Sequence, residues 1–344
     1  MSKETKKGNN KTRRLLMILA VTVVILIILI PVAYVINLMN KTNYNNSQDK
    51  DIIINEEVAN EEVSTGYRNF VIFGVDSREN SLTTGTLSDT IMIVNIDNQT
   101  KEVKLCSIYR DTYVNIPNYG YTKINHAFAR GGYSLALSTI NTNLDLDIHQ
   151  YVTVNFYAVT KVIDLLGGIT LDIQENELKW LNGYVREINR VNGTSVSGLT
   201  HAGTQVVNGT QALAYARIRY TSGGDFKRTE RQRIIVNKIF EKAKEADLTT
   251  IIRIINEMLP EISTNISTQD MLSLAKDIFS YRITDSVGFP FEKTTDRINS
   301  VSYVLPIDLA ENVKQLHAYL FNETEYVPSN TVTTHSEYIK SLGY

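Results

Sequence analysis

The chain has 344 residues, a formal net charge of −2 and 43% hydrophobic residues, which is enough apolar content for a sizeable core and too balanced a charge for a nucleic-acid-binding surface. Its one cysteine, Cys106, excludes an intramolecular disulfide, and His126, His149, His201, His317 and His335 are too scattered for a metal-binding pattern. No P-loop, no G-x-G-x-x-G after a strand and no G-x-S-x-G elbow occurs, which sets aside nucleotide kinases, dinucleotide enzymes and serine hydrolases.

The chain opens with Lys3, Lys6, Lys7, Lys11, Arg13 and Arg14 against Glu4, a local charge of +5, followed by 25 uncharged residues, 15–39. At about 1.5 Å per residue that run covers roughly 38 Å, enough to cross a hydrocarbon core of about 30 Å with some tilt. It predicts one membrane-spanning helix in the plasma membrane; Pro31-Val32-Ala33 is a weak cleavage site, and the apolar run continues past it. The positive-inside rule then puts residues 1–14 in the cytoplasm and everything after Met39 outside. Without that basic terminus the remainder carries −7, an acidic ectodomain with no general affinity for nucleic acid. Residues 40–65, rich in Asn, Gln, Asp and Glu, read as an extracellular tether with a short helix near 55–63.

The folded domain is expected over residues 66–325. Residues 69–75, NFVIFGV, form a continuous apolar run of the kind that makes a buried strand, ending at Asp76, Ser77 and Arg78. Residues 90–97 and 102–108 flank a four-residue turn and predict a hairpin. In an antiparallel pair the start of one strand lies beside the end of the other, so Asp89 and Arg110 are expected as neighbours. If residues 69–75 run parallel to the second strand of the hairpin, Asp76 joins them.

Lys123 and Asn125 lead into a helix interrupted at Gly131-Gly132 and resumed over 133–141. Residues 151–154, 156–166 and 169–173 read as a βαβ unit with a glycine C-cap at Gly167-Gly168. Residues 175–203 are polar and glycine-bearing, the pattern of a lid or binding loop. Asn208 caps a helix to about residue 216, helices follow near 226–246, 249–259 and 268–280, then a strand over 301–305 and a helix over 308–321. Residues 326–344 read as a loose tail.

The stretch 216–233, ARIRYTSGGDFKRTERQR, holds Arg217, Arg219, Lys227, Arg228, Arg231 and Arg233 against Asp225 and Glu230. Arg228, Arg231, Gln232, Ile235 and Ile239 follow at helical spacing, so a face that starts polar ends apolar. If the apolar end is anchored in a core, Arg228, Arg231 and Gln232 enter a pocket, while Lys227 and Arg233 lie off that face. Arg217 and Arg219 sit two apart, as on an extended segment. Guanidinium forks suit phosphate oxygens, and two carboxylates at one sheet edge, Asp76 and Asp89, suit Mg²⁺ with phosphate. The bland alternatives are a solvated basic helix start and an ordinary loop-capping aspartate.

Six blocks, GVDSR at 74–78, SDTIMIVNID at 88–97, SIYRDTYVNIP at 107–117, KINHAFARGG at 123–132, NGTQALAYARIRY at 208–220 and GDFKRTERQR at 224–233, resemble in sequence and order the LytR-CpsA-Psr family. That resemblance implies an α/β fold, a mixed central β-sheet flanked by helices, with an apolar groove for a polyprenyl chain. It implies a Gram-positive membrane-bound phosphotransferase that moves a glycopolymer from an undecaprenyl-pyrophosphate carrier to peptidoglycan. It puts Mg²⁺ on Asp76 and Asp89 and the pyrophosphate on Arg110, Arg217, Arg219, Arg228 and Gln232, with Asp225 orienting the arginines; Arg231, Arg78 and Lys123 are further candidates, and Asp111 is a candidate base or arginine-orienting group. Two positions depart from the usual pattern. Leu87 replaces an arginine two residues before Asp89, a contact then missing or supplied by Arg78, and Tyr109 replaces a proline before Arg110. Two other functions fit the same pocket: hydrolysis of the lipid pyrophosphate, and a non-catalytic regulator that only binds it. A cytoplasmic part of some 14 residues is too short for a DNA-binding domain.

Overall fold

The computed structural model describes residues 43–44, 52–59, 66–75, 82 and 84–343. The expected membrane span at 15–39 lies outside them, as do Asp76 and Arg78. Among the described residues no helix is long and apolar enough to cross a membrane.

In chain order the elements are β1 (Asn43–Tyr44), α1 (Glu56–Ala59), β2 (Tyr67–Val75), β3 (Ser88–Asp97), β4 (Glu102–Ile108), β5 (Tyr113–Ile116), β6 (Gly120–Lys123) and α2 (Asn125–Leu144). Then come β7 (Gln150–Asn155), α3 (Phe156–Leu165), β8 (Ile169–Ile173), α4 (Glu175–Asn192), β9 (Gly203–Val207), α5 (Gly209–Ala216) and α6 (Gly224–Glu245). The chain continues through α7 (Leu248–Met258), β10 (Ile262–Thr264), α8 (Thr268–Lys276), β11 (Arg282–Phe289), β12 (Lys293–Ile298), β13 (Val301–Pro306), α9 (Leu309–Phe321) and α10 (Asn330–Ser341).

Seven strands form one mixed sheet in the order β1-β10-β7-β2-β3-β4-β11. β3 is antiparallel to both β2 and β4, so β2 and β4 run the same way on either side of it; β2 pairs parallel with β7 and β4 parallel with β11. The near-continuous apolar runs of β2 and β3 have a physical reason, because both faces of the sheet are covered. Ile91, Ile93, Val71 and Phe73 point into a core shared with Phe128, Leu137 and Ile140 of α2 and Val313 and Leu316 of α9. Met92, Val94 and Ile96 point the other way, toward Val236 and Phe240 of α6. A third core lies off the sheet, where Leu181, Val185 and Ile188 of α4 meet β8, β9 and Leu213 of α5. Gly209 lets α5 sit against α3, since a Cβ there would come within 2.2 Å of the Thr160 carbonyl oxygen.

Several expectations are corrected. Residues 150–173 do not form a βαβ unit in one sheet: β8 leaves it and pairs antiparallel with β9 as a separate ribbon. Residues 175–192, expected as a loop, are the helix α4. Its start is a capping box in which the Gln174 N–H donates to Glu177, and its buried residues Glu177, Leu181, Val185 and Ile188 fall on one helical face. The presumed tail contains α10, whose Val332 and Ile339 are buried in the main core. The presumed tether is docked: β1 pairs with β10, and buried Asn55 donates to Asp145, Ser329 and the Thr142 carbonyl. Strands β10, β11 and β12 were not foreseen; β12 and much of β11 are polar and exposed, so their sequences carry little alternation.

Candidate active site

The residues of interest gather where β2 ends and β3 begins. The register places Val75 opposite Ser88 and Ile108 opposite Ile91, so Asp89 and the segment after β4 meet at one edge, as expected for an antiparallel pair. Arg110 Nη1 donates to Asp89 Oδ1 at 2.5 Å. Arg110 Nη2 is 3.7 Å from Asp225 Oδ1, and its Nε is 3.8 Å from Asp111 Oδ2. Lys123 Nζ, at the end of β6, is 2.9 Å from Asp111 Oδ1. From the other side α6 contributes Arg228, whose Nη2 donates to Asp225 Oδ2 at 3.1 Å, and the loop before it brings Arg219 Nε to 3.9 Å from Asp225 Oδ1.

Four cations therefore interleave with three carboxylates in a partly buried cluster. Burial disfavours the Arg110 cation, yet Asp89, Asp225 and Asp111 outweigh it and hold its pKa above the ordinary value. Arg228 goes the opposite way. Its side chain is 3% exposed, and burial, then repulsion by Arg110 and Arg219, against the attraction of Asp225, bring its pKa down to about 10. Arg110 Nε and Arg228 Nε are buried and make no hydrogen bond. Two buried guanidinium nitrogens without a hydrogen bond in one cluster are uncommon, and an anion is the partner their charge favours.

α6 starts after Gly223, which sits at φ 89°, and Gly224 at φ 48°, a left-handed pair that glycine adopts freely. The helix turns the expected residues in different directions. Arg231 does not join the cluster: its Nε and Nη2 donate to Glu177 Oε1 at 2.9 and 2.7 Å, its Nη1 to the Ile218 carbonyl and Nη2 to Thr221. Arg217 turns to Glu187 at 3.3 Å, with its guanidinium over the Tyr184 ring. Arg233, expected off the inward face, is 8% exposed, with Nε and Nη1 buried and unbonded, while Lys227 is exposed and pairs with Glu230. α6 packs on β4 and β11 as well as on β8, and Arg233 is turned toward that side, close to Cys106, Tyr109 and Lys293. Tyr109 is buried edge-on to Phe226, with its hydroxyl over Gly288, where a Cβ would come within 2.2 Å of it. Leu87 is an exposed side chain.

One turn beyond Arg228, Gln232 joins the lining of an apolar cavity. Its walls include Ile72, Met92 and Val154 from the sheet, Ile163 of α3, Leu213 of α5 and Ile235 of α6, and its empty volume is about 600 Å³, part of it open to solvent. The apolar groove implied by the family resemblance has a counterpart here, bordered by α3, α5 and α6. An apolar slot with a few polar groups close by is the usual form of a ligand site.

No group of three or more acidic, His or Cys side chains that could hold a metal occurs among the described residues. The donor chemistry still suits Mg²⁺, which needs few carboxylates when phosphate oxygens and water complete its shell. Asp89 stands at the cluster, and the chain leaves β2 toward Asp76 at Val75, opposite Ser88.

Comparison with known proteins agrees with this architecture. The teichoic acid transferase TagU of Enterococcus faecalis, named a polyisoprenyl-teichoic acid–peptidoglycan transferase, is 30% identical over 210 residues, 60% of this chain and 64% of that protein, so the chain spans less than two thirds of it. The TagU of Halalkalibacterium halodurans is 32% identical over 246 residues, 68% of this chain and 72% of that one. The solved structure of YwtF (TagT) with bound octaprenyl pyrophosphate lipid superposes with a TM-score of 0.56 at 23% identity, covering 77% of this chain and 93% of that one. The LytR_cpsA_psr family model matches residues 32–318, and with the sheet, the arginine cluster and the groove in place the chain belongs to the LytR-CpsA-Psr family.

Proposed function

We propose that the protein is a membrane-anchored phosphotransferase that moves a glycopolymer, wall teichoic acid or a related polysaccharide, from an undecaprenyl-pyrophosphate carrier to peptidoglycan. The observation that supports it is the junction of two chemistries on α6: Arg228 in the cation cluster and, one turn on, Gln232 and Ile235 in the apolar cavity. A ligand with a diphosphate head and a hydrocarbon tail matches that junction. The names of the TagU relatives and the octaprenyl pyrophosphate in the TagT structure point to the same class of donor.

In this reading Arg110, Arg219 and Arg228 hold the pyrophosphate oxygens, and Asp225 and Asp89 fix the guanidinium planes before the ligand arrives. Lys123 and Asp111 brace Arg110 from behind. A sugar hydroxyl of peptidoglycan attacks the phosphorus that carries the glycan. The new P–O bond forms as the P–O–P bridge breaks, lipid phosphate leaves with the bridging oxygen, and the hydroxyl proton is released. Mg²⁺ held by Asp89 and Asp76 would neutralise charge on the phosphate oxygens. The test is to incubate the protein in detergent or vesicles with lipid-linked glycan, peptidoglycan and Mg²⁺. A glycan–phosphate–peptidoglycan diester is expected; release of glycan phosphate to water alone would instead identify a hydrolase, and binding without turnover a regulator.

A further inference from the structure

Beside the cation cluster lies an aromatic surface that the phosphate chemistry does not use. Tyr220 follows Arg219 directly and is 66% exposed. Its ring rests on Trp180 of α4, with centroids 4.7 Å apart and planes 33° apart. Tyr184 lies one turn along α4 from Trp180, on the same helical face. It is close to Tyr220: burial first and then Tyr220 raise its hydroxyl pKa, while Arg219 and Arg217 pull it back. Cations border the patch, with Lys179 Nζ 5.2 Å from the Trp180 ring and the Arg217 guanidinium 5.5 Å from that of Tyr184. None of these residues lines the apolar cavity.

Resting on the phosphotransferase reading, we propose that Trp180, Tyr184 and Tyr220 form a ledge that stacks the sugar rings of the donor glycan next to its pyrophosphate. Pyranose rings present C–H faces that suit the electron-rich faces of aromatic rings, and their hydroxyls suit flanking Lys and Arg donors. Continuity argues for the donor over the acceptor. A lipid seated in the apolar cavity and a pyrophosphate on Arg219 leave the covalently attached glycan to emerge beside Arg219, and the next residue is Tyr220. An exposed Tyr220 resting on a half-buried Trp180, flanked by cations, is otherwise without an occupant.

The chain carries a built-in reporter, because Trp180 is its only tryptophan. The experiment titrates the full-length protein in detergent with a short-chain prenyl pyrophosphate, with the same compound bearing a disaccharide, and with a lipid-free peptidoglycan oligosaccharide, following Trp180 emission and, separately, affinity by calorimetry. The disaccharide compound should shift the emission and bind about tenfold more tightly than the sugarless one, the scale of one or two aromatic contacts. Tyr220→Ala should erase that increment while leaving affinity for the sugarless pyrophosphate as it was, since the side chain is exposed and outside the cluster. Equal affinity for the two pyrophosphates, with Trp180 silent, would overturn the ledge and leave the pyrophosphate site standing. A Trp180 response to the peptidoglycan oligosaccharide alone would overturn it in favour of an acceptor surface. No binding of either pyrophosphate would instead sink the phosphotransferase reading.

Discussion

Arg228 is a cation kept where cations are disfavoured, 3% exposed beside two other guanidinium groups, and Asp225 is the partner that keeps it charged. Lysine at this position retains charge but loses the planar fork, so Arg228→Lys should lower kcat/KM by roughly ten- to hundredfold, as expected for one lost charge-assisted bond of about 1.5–3 kcal/mol. Lys227→Ala, one residue away and facing solvent, should stay within about twofold. Equal damage from the two would mean a diffuse basic surface. Asp89→Asn should abolish turnover while leaving the melting temperature nearly unchanged, because the carboxylate is at a partly open edge and serves Arg110; activity at the wild-type level would remove Asp89 from both the arginine network and the metal proposal. Arg233 is the residue at which helical spacing misled. A long side chain assigned to solvent is buried with unbonded nitrogens, so Arg233→Met should leave the melting temperature unchanged or raise it.

At the scale of elements, α4 and α6 are joined by the Arg231–Glu177 pair, 4% and 8% exposed. Glu177 also closes the capping box at the start of α4, and Arg231 also holds the Ile218 carbonyl and Thr221, so one pair fixes a helix start and the loop that carries Arg219. Glu177→Ala should cost about 3–5 kcal/mol by stranding a buried guanidinium, seen as a lower denaturation midpoint, and should raise KM as Arg219 loses its support. A stable variant with normal KM would show that the loop holds itself. Much of the site was legible in the chain because strand ends and helix faces are short-range properties: Asp89 beside Arg110 follows from hairpin geometry, and Arg228 with Gln232 from a helical face. What was not legible required distant partners. Nothing in the spacing of Arg231 distinguishes a ligand contact from an ion pair with a residue 54 positions earlier, and Arg217 turns to Glu187 for the same reason. α4 was legible in principle, from Gln174, Glu177 and its apolar stripe, but its single-sided pattern is diluted by many polar residues. β10 and β12 were not, since a three-residue strand or a polar ribbon carries no usable period.

For the molecule as a whole, the covering layer of α2, α9 and α10 is tied together by buried polar groups. His317 of α9 is 2% exposed, donates from Nε2 to the Leu144 carbonyl at 3.1 Å and stacks on Tyr326. Burial, against the pull of that carbonyl and Asp145, lowers its pKa from 6.5 to about 4. Between those values the unfolded chain binds more protons than the folded one, so stability is full above about pH 6.5 and falls as the pH drops toward 4. The loss is on the order of 3 kcal/mol, and His317→Gln should flatten that acid limb when melting temperature is followed from pH 7 to 4.5. A second tie joins the two ends of the described chain. Asn55 donates to Asp145 Oδ1 at 2.6 Å and to Ser329 Oγ at 3.2 Å, while the Ser329 N–H donates to Asp145 Oδ2 and its hydroxyl caps α10. These contacts span 274 residues, between one segment made near the start of synthesis and another made near its end. Until Ser329 has been translated, Asn55 and Asp145 face each other without their third member, and Val332 and Ile339 have not yet covered their side of the core. Final closure of this layer thus waits for its last helix, so a chain cut before residue 329 should leave the core face under α10 open to proteases.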